Sequence, residues 1–241
     1  MTWTGTSFTG LSGLVDGRAG ALTVLGWGSA TESLRVSFER PVPPRLAALV
    51  NLRGVPAGVE VEVSLKTEGG GYDYEPQTVE TFLTPSGDVC CLATWPEGLD
   101  LCDGCEFTIP DSGEEFELGE VVVSSGLSVD LDPRWSSGAV GGSRNLSRAG
   151  QLVRAAFPAP RVLDLPWAGV DADEILVLQD SLLSLQMALA NDPRAAVVAD
   201  LARPEATFLY GFLERSDPIR FGADQRGGSR WSFREMVGRP F

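Results

Sequence analysis

The sequence predicts a mostly β protein: an N-terminal β-sandwich of jelly-roll-like type, followed by a C-terminal α+β domain with one main helix. Three observations lead to this fold class. Short β-branched segments separated by glycine and proline fill residues 1–130, and one helical apolar stripe lies in the C-terminal part. The charge also changes along the chain: residues 1–130 hold 20 acidic and 6 basic side chains, whereas residues 131–241 hold 13 of each.

The predicted strands of the N-terminal part are short, and turn residues lie between them. In the segment 59–66, Val59, Val61, Val63 and Leu65 alternate with polar residues, which is typical of a strand with one buried and one acidic face. Seven such segments are Ser33–Glu39, Arg45–Leu52, Val59–Lys66, Val79–Leu83, Val89–Trp95, Glu106–Ile109 and Phe116–Ser124.

A Gly/Ser-rich stretch, SSGAVGGSRNLS, coincides with the change in charge. We therefore predict a sandwich domain over 1–132, a linker or assembly loop over 133–149, and an α+β domain over 150–241. Within this segment, the candidate assembly-loop residues are Gly141, Gly142, Ser143, Arg144 and Asn145.

The C-terminal part contains the one clear helix signal. Asp171 is a good N-cap residue and Glu174 follows three positions later, as in a capping box. An apolar stripe then continues to Asn191 and Pro193, and its members are Ile175, Leu178, Leu182, Leu185 and Leu189. Strands are predicted around it over Gln151–Phe157, Arg161–Leu165, Ala195–Leu201, Thr207–Glu214 and Ser229–Val237.

Composition excludes several classes of function. The chain has no histidine, so the commonest general base and metal ligand is missing. A net charge of −14 without a basic patch argues against direct nucleic-acid binding. No apolar run is long enough for membrane insertion, and the N-terminal residues MTWTGTSFTG do not resemble a signal peptide, so we expect synthesis in the cytoplasm.

Four cysteines, Cys90, Cys91, Cys102 and Cys105, form the sharpest local pattern. Three interpretations are open: buried reduced thiols, a disulfide across a hairpin built on the PEGLD segment, or a zinc or iron–sulfur site. Adjacent cysteines on a strand point to opposite faces, which argues against a single metal bound by all four. We expect no cofactor.

Acidic and aromatic residues provide two further candidate sites. The acidic run Asp111, Glu114, Glu115, Glu117 and Glu120 could hold a glycosidase pair or, with Asp130 and Asp132, calcium, although a solvated face is the simpler interpretation. The six tryptophans are expected mainly in the core or at an interface. Trp27 and Trp95 are the candidates for stacking on a glycan.

Two stretches resemble the jelly-roll (galactose-binding-like) domain of distal-tail or tail-tip proteins of long-tailed, siphovirus-like bacteriophages. They are LRVSFERPVPPRLAALVNLRGVPAGVEVEVSL at 34–65 and CEFTIPDSGEEFELGEVVVSSGLSVDLDPRW at 105–135. The segment from Gly141 to Phe241 resembles the tail-tube-like domain of the same proteins, with the landmarks GGSRNLSRAG, VVADLARP, FLYGFLERSDP and RWSFREM. In that pattern, Tyr210 and Gly211 begin the penultimate strand.

The resemblance implies a non-enzymatic structural role in the virion. Such proteins form homo-oligomeric rings at the tail tip, linking the tail tube to the hub, and their neighbours include the tape measure. The cysteine cluster departs from the pattern, and the resemblance assigns no catalytic residues. Two other functions compete with this role: host-surface glycan binding by the sandwich, and glycan hydrolysis by Glu114, Glu115 or Glu117.

Overall fold

A computed structural model of the protein describes residues 2–3, 7–8, 23–26, 31–110, 115–125, 135–139, 144–146, 152–154, 160–176 and 182–236. Most of these residues lie in β-strands and the helices are short, which confirms the prediction of a mostly β protein. By its internal contacts the chain divides into two compact units, Met1–Gly126 and Leu127–Phe241.

The first unit is built from antiparallel strands in two sheets. Their bounds are β1 Thr2–Trp3, β2 Ser7–Phe8, β3 Thr23–Gly26, β4 Thr31–Val42, β5 Leu46–Arg53, β6 Glu60–Thr67, β7 Tyr74–Glu80, β8 Phe82–Leu83, β9 Val89–Thr94, β10 Cys102–Pro110 and β11 Phe116–Ser124. The sheet orders are β1-β4-β10-β6-β7 and β2-β3-β11-β5-β9-β8, so that β4, β5 and β6 alternate between the sheets.

The two sheets share one hydrophobic core. Leu65 of β6 and Phe107 of β10 come from one sheet, while Leu49 of β5 and Phe116 of β11 come from the other, and all four side chains are fully buried. Burying a side chain of this size stabilises the fold by about 1.5–3 kcal/mol. The alternation predicted for β6 is confirmed over residues 60–63, where Val61 is buried between exposed Glu60 and Glu62, but Ser64 is buried as well.

The predicted strand Val79–Leu83 is two strands, because the chain passes from one sheet to the other within it. Thr81 lies between β7 and β8, and its buried hydroxyl donates to the Pro56 carbonyl at 2.8 Å. The same hydroxyl accepts a hydrogen bond from the Val59 amide at 3.0 Å. These two bonds provide partners for the Val59 amide and the Pro56 carbonyl at a point where hydrogen bonding between strands is interrupted.

The second unit contains one larger sheet, a two-stranded ladder and three helices among its described residues. Their bounds are β12 Ser136–Ala139, β13 Arg144–Leu146, β14 Leu152–Arg154, β15 Arg161–Asp171, α1 Ala172–Leu176, α2 Leu182–Asn191, β16 Arg194–Val198, α3 Pro204–Thr207, β17 Phe208–Ser216, β18 Arg220–Phe221 and β19 Arg226–Glu235. The larger sheet has the antiparallel order β12-β15-β19-β17-β16, and β18 also pairs with β19.

One face of the larger sheet carries the core of the second unit. Trp231 and Phe233 of β19 alternate with polar residues and are buried together with Ile175 of α1 and Leu189 of α2. The rings of Trp167 and Trp231 meet edge to face, with centroids 5.9 Å apart. The apolar stripe recognised in the sequence thus covers this face of the sheet.

The expected single helix over 171–190 is corrected to two helices. Residues of a straight helix that are six positions apart are already about 9 Å apart along the axis. The ends of α1 and α2 are at least six positions apart, yet Cα atoms of the two helices lie within 8 Å of each other. The two helices therefore do not follow one straight axis, and Leu178 of the predicted stripe lies outside the described residues.

The segment 133–149 is only in part the linker or loop that its glycines and serines predict. Residues Ser136–Ala139 form the edge strand β12, which pairs with β15 in the larger sheet. Residues Arg144–Leu146 form β13, which pairs with β14. Glycine and serine have a low intrinsic preference for strands. Backbone hydrogen bonds to a neighbouring strand do not depend on the side chains, so pairing with a partner strand can still place these residues in a sheet.

Candidate functional site

The four cysteines are free thiols, and all are buried. Cys90 and Cys91 lie on β9, while Cys102 and Cys105 lie on β10, in the opposite sheet of the first unit. The segment PEGLD therefore connects two sheets and is not the turn of a hairpin, so the proposed disulfide across that hairpin is corrected. The described residues contain no group of three or more histidine, cysteine or acidic side chains arranged to hold a metal ion.

Burial makes these thiols poor nucleophiles. Desolvation raises the pKa of Cys91, and the neighbouring Cys90 adds to the effect. Desolvation also raises the pKa of Cys105, with further contributions from Cys91, Cys102 and Glu106. Because the thiolate is the reactive form, these side chains act as small apolar members of the core.

Trp95 is a core residue, which corrects its candidacy as a glycan platform. Its ring is 4% exposed and belongs to the core of the first unit. Its indole N–H donates to the Glu75 carbonyl at 3.1 Å. A sugar needs an exposed ring face, which this burial removes. The other candidate, Trp27, lies outside the described residues.

The described members of the acidic run differ in exposure and in partners. Glu115 is exposed, Glu117 faces Arg53 at 3.9 Å, and Glu120 is buried. The remaining candidates lie outside the described residues, namely Asp111, Glu114, Asp130 and Asp132. Of the candidate assembly loop, Gly141, Gly142 and Ser143 also lie outside them, whereas Arg144 and Asn145 begin β13.

A buried arginine–glutamate pair in the second unit has no counterpart among the predicted sites. Arg161 of β15 donates from Nε and Nη2 to Oε1 of Glu235, at 3.0 and 2.8 Å. Its Nη2 also donates to the Phe208 carbonyl at 2.6 Å, and its Nη1 donates to the Ala206 carbonyl at 3.2 Å. The pair joins β15 and β19 to the segment where α3 meets β17, which is a structural role.

The opposite end of the same sheet carries an open depression of about 580 Å³. Its walls come from the end of β15, the turn between β17 and β18, and the start of β19, all within the second unit. Glycines 227 and 228 have no side chain and contribute only backbone to the wall. A Cβ added at Gly228 would lie 2.8 Å from the Trp167 carbonyl oxygen, so β19 and β15 approach each other closely there. The paired strands β15 and β19 therefore form the floor of the depression.

Three arginines line this depression: Arg220, Arg226 and Arg230. Arg226 has an exposed ion pair with Asp171 at 3.2 Å, and Arg230 donates to Asp164 at 2.8 Å. Arg220 is exposed and forms no ion pair with any residue that the structure describes. We call this group the arginine depression.

Asp164 lies beside the arginine depression as a partner of two groups on β19. Burial alone would raise its pKa, but hydrogen bonds from Ser232 and Arg230 outweigh that effect, and the pKa of the carboxyl is lowered. Asp164 is therefore ionised at neutral pH and holds Arg230 in place. No sequence pattern marked this site, because its members come from distant segments and the C-terminal part is neutral as a whole.

Comparison with protein-family models and with curated proteins provides no relative from which a role could be transferred. No protein-family model matches the chain, and no curated protein matches it in sequence. Among the described residues, no helix is long and apolar enough to cross a bilayer.

Proposed function

We propose that this protein is a structural component of a bacteriophage tail tip, a distal-tail or baseplate ring protein that links the tail tube to the hub. In this role it assembles with copies of itself and with tail-tube, hub and tape-measure proteins in the virion. The finer description of the fold, a jelly-roll-like sandwich followed by a tail-tube-like domain, belongs to the same proposal. The sequence resemblance over 34–65, 105–135 and 141–241 is its starting point.

The observation that carries the proposal is the open sheet of the second unit. Among the described strands, β12 pairs only with β15 and β16 pairs only with β17, so the sheet ends in a strand on each side. All four residues of β12 are exposed. Strand edges of this kind pair readily with another chain, and two different edges suit a head-to-tail contact that closes into a ring.

The first test is the native mass of the purified protein by light scattering over a concentration series, alone and with a tail-tube protein. A closed ring, or growth toward one when the tail-tube protein is added, supports the proposal. A strict monomer under every condition overturns it, because a ring protein must associate.

A variant at the sheet edge sharpens this test. Gly138→Lys places a charge on β12, where an added Cβ meets no atom within 4 Å, so the isolated chain accommodates it. Charged edge strands resist pairing, so we expect weaker association with unchanged thermal stability. The matched control is Ser37→Lys, an exposed position on β4 of the first unit, which should associate like the wild type.

Glycan binding by the first unit stays an alternative proposal with less support. Burial of Trp95 removes one of its two stacking candidates. A glycan array probed with the whole protein tests this function directly, and an array without hits would remove it. We propose no enzymatic activity for the chain.

A further inference from the structure

Three polar side chains form a row across the outward face of the sheet β1-β4-β10-β6-β7 in the first unit. The strand register places Glu106 of β10 opposite Arg35 of β4 on one side and opposite Ser64 of β6 on the other. Their neighbours along the strands, Phe107 and Val63, are fully buried in the core. Successive side chains of a strand point to opposite faces, so the three polar side chains point away from the core. We call them the polar row.

The guanidinium of Arg35 is held by two contacts. Its Nε donates to Oε1 of Glu106 at 2.6 Å, and its central carbon lies 5.1 Å from the centroid of the Tyr72 ring. Gly104 lets that ring lie close to the sheet, because a Cβ added there would be 3.1 Å from the Tyr72 hydroxyl oxygen. The Arg35 side chain is nevertheless 43% exposed. The guanidinium is thus positioned on the sheet and still reaches solvent.

Several polar atoms of the row have no hydrogen-bond partner among the described residues. They are both terminal nitrogens of Arg35, Oε2 of Glu106 and Oγ of Ser64. Glu106 is 8% exposed and Ser64 is 4% exposed. A buried carboxylate with a single hydrogen bond from the protein, beside a buried hydroxyl with none, is uncommon. These donors and acceptors are therefore available to a ligand on the outward face.

The charges of this surface favour a neutral ligand. Arg35 and Glu106 compensate each other, and the neighbouring Lys66 is paired with Asp103 at 2.8 Å. Glu62, two residues before Ser64 on β6, is exposed and has no ion pair with a described residue. The surface therefore has no surplus of positive charge with which to attract an anion, and Arg35 repels a cation.

The ligand must also donate and accept hydrogen bonds within a short distance. Arg35 offers only donors, whereas the Glu106 carboxylate offers only acceptors. Side chains directly opposite each other on neighbouring strands are about 5 Å apart at Cβ. Adjacent hydroxyl groups of a sugar ring both donate and accept at this spacing, and hydrogen bonds to charged groups are the strong ones.

A second row of side chains extends the same face. The register places Thr108 of β10 between Ser33 and Glu62, and Thr78 of β7 lies opposite Glu62. Residues two apart on a strand are roughly 7 Å apart, so this row lies beside the polar row at that distance. Its hydroxyl groups provide contacts for a second sugar unit.

We propose that the polar row binds a neutral saccharide. Arg35 donates to hydroxyl oxygens of one sugar ring, Glu106 accepts from a hydroxyl of the same ring, and Ser64 completes the contact. The inference rests on the alternative glycan-binding role proposed above and gives it a site other than Trp27 and Trp95. It does not depend on the assembly of a ring.

Saturation-transfer NMR with the full-length protein tests the ligand class. The neutral probes are the methyl glycosides of glucose, galactose, mannose and N-acetylglucosamine, and the anionic probes are glucuronic acid and N-acetylneuraminic acid. We expect transfer to at least one neutral sugar and weaker or no transfer to the two anionic sugars. The glycan array described above extends the panel to oligosaccharides.

Two conservative variants test the site itself. Arg35→Lys keeps a positive charge beside Glu106 but removes the planar pair of terminal donors, so we expect binding at least about tenfold weaker. Ser64→Ala removes a hydroxyl that no described residue bonds, so we expect binding at least about threefold weaker and a melting temperature no lower than that of the wild type. The matched control is Arg40→Lys at an exposed position of β4, which should bind like the wild type.

The outcomes separate the site from the glycan-binding role as a whole. Neutral-sugar binding that Arg35→Lys and Ser64→Ala both weaken, and Arg40→Lys does not, supports the polar row. Binding that both site variants retain at the wild-type level overturns this site, while glycan binding elsewhere on the protein stands. Anionic sugars that bind as strongly as neutral ones overturn the ligand class. A wild type without a transfer signal from any neutral sugar and without an array hit overturns the glycan-binding role and this site together.

Discussion

At the residue scale, the pair Arg161–Glu235 is buried and joined by several hydrogen bonds. Both side chains are buried, and the guanidinium reaches two backbone carbonyls in addition to the carboxylate. Removing one partner of such a pair leaves a buried charge without compensation. The second unit therefore depends on both members being present.

We predict that Glu235→Gln lowers the free energy of unfolding of the second unit by about 3 kcal/mol. The matched control is Glu214→Gln. Glu214 forms an ion pair with Arg234 on the same sheet, and both side chains are partly exposed. This control should cost about 1 kcal/mol or less, because water replaces the lost partner. Urea unfolding followed by near-UV circular dichroism measures both, and equal losses would contradict the prediction.

Asp164 gives the second unit a defined pH dependence. Its carboxyl pKa in the folded protein is lowered from 3.8, so it stabilises the fold above about pH 4 and loses that contribution as the pH falls through its folded value. We predict that Asp164→Asn lowers the melting temperature at pH 7 and that this difference shrinks toward pH 3. Melting curves between pH 3 and 7 measure it, and a difference that grows on acidification would contradict the assignment.

At the scale of single elements, the burial of β9 and β10 determines how reactive the cysteine thiols are. We predict that the folded protein reacts slowly with a thiol reagent at pH 8, because Cys91, Cys102 and Cys105 all have raised pKa values. In about 6 M guanidinium all four thiols should react at once. Fewer than four reactive thiols in denaturant without reductant would instead reveal a disulfide.

The pairing of β17 with β19 depends on a close backbone approach at Gly211. A Cβ at this position would lie 2.0 Å from the Arg234 carbonyl oxygen and 2.7 Å from its carbon, and backbone cannot move aside as a flexible side chain does. We predict that Gly211→Ala costs about 1–3 kcal/mol of stability. Gly138→Ala on the open edge strand β12 is the control and should lie within about 0.5 kcal/mol of the wild type. Thermal unfolding distinguishes them.

At the scale of the whole molecule, each unit has a hydrophobic core of its own. Phe107 is fully buried in the core of the first unit, so Phe107→Ala should destabilise that unit by about 3–5 kcal/mol. We predict faster hydrogen exchange in β5 and β6 and unchanged exchange in β17 and β19, measured by mass spectrometry. Faster exchange in all four strands would show that the two units unfold together.

Local patterns predicted most of the elements. The alternation of Val61, Val63 and Leu65 placed β6, and the helical spacing of Leu182, Leu185 and Leu189 within α2 selected side chains that pack on the larger sheet. The seven predicted strands of the N-terminal part all correspond to strands, although Val79–Leu83 divides between β7 and β8. Side-chain periodicity is a property of the sequence itself, which is why it can be recognised without the fold.

The sequence by itself determined the mostly β class, the acidic N-terminal part, the absence of histidine and the apolar face of the helices. Tertiary structure alone decided the sheet to which each strand belongs, the separation of the cysteines between two sheets, the buried pair Arg161–Glu235 and the arginine depression. The reason is physical: composition and periodicity depend on neighbours in the chain. Pairing between strands and contacts between charges join residues such as Arg161 and Glu235, which are 74 positions apart.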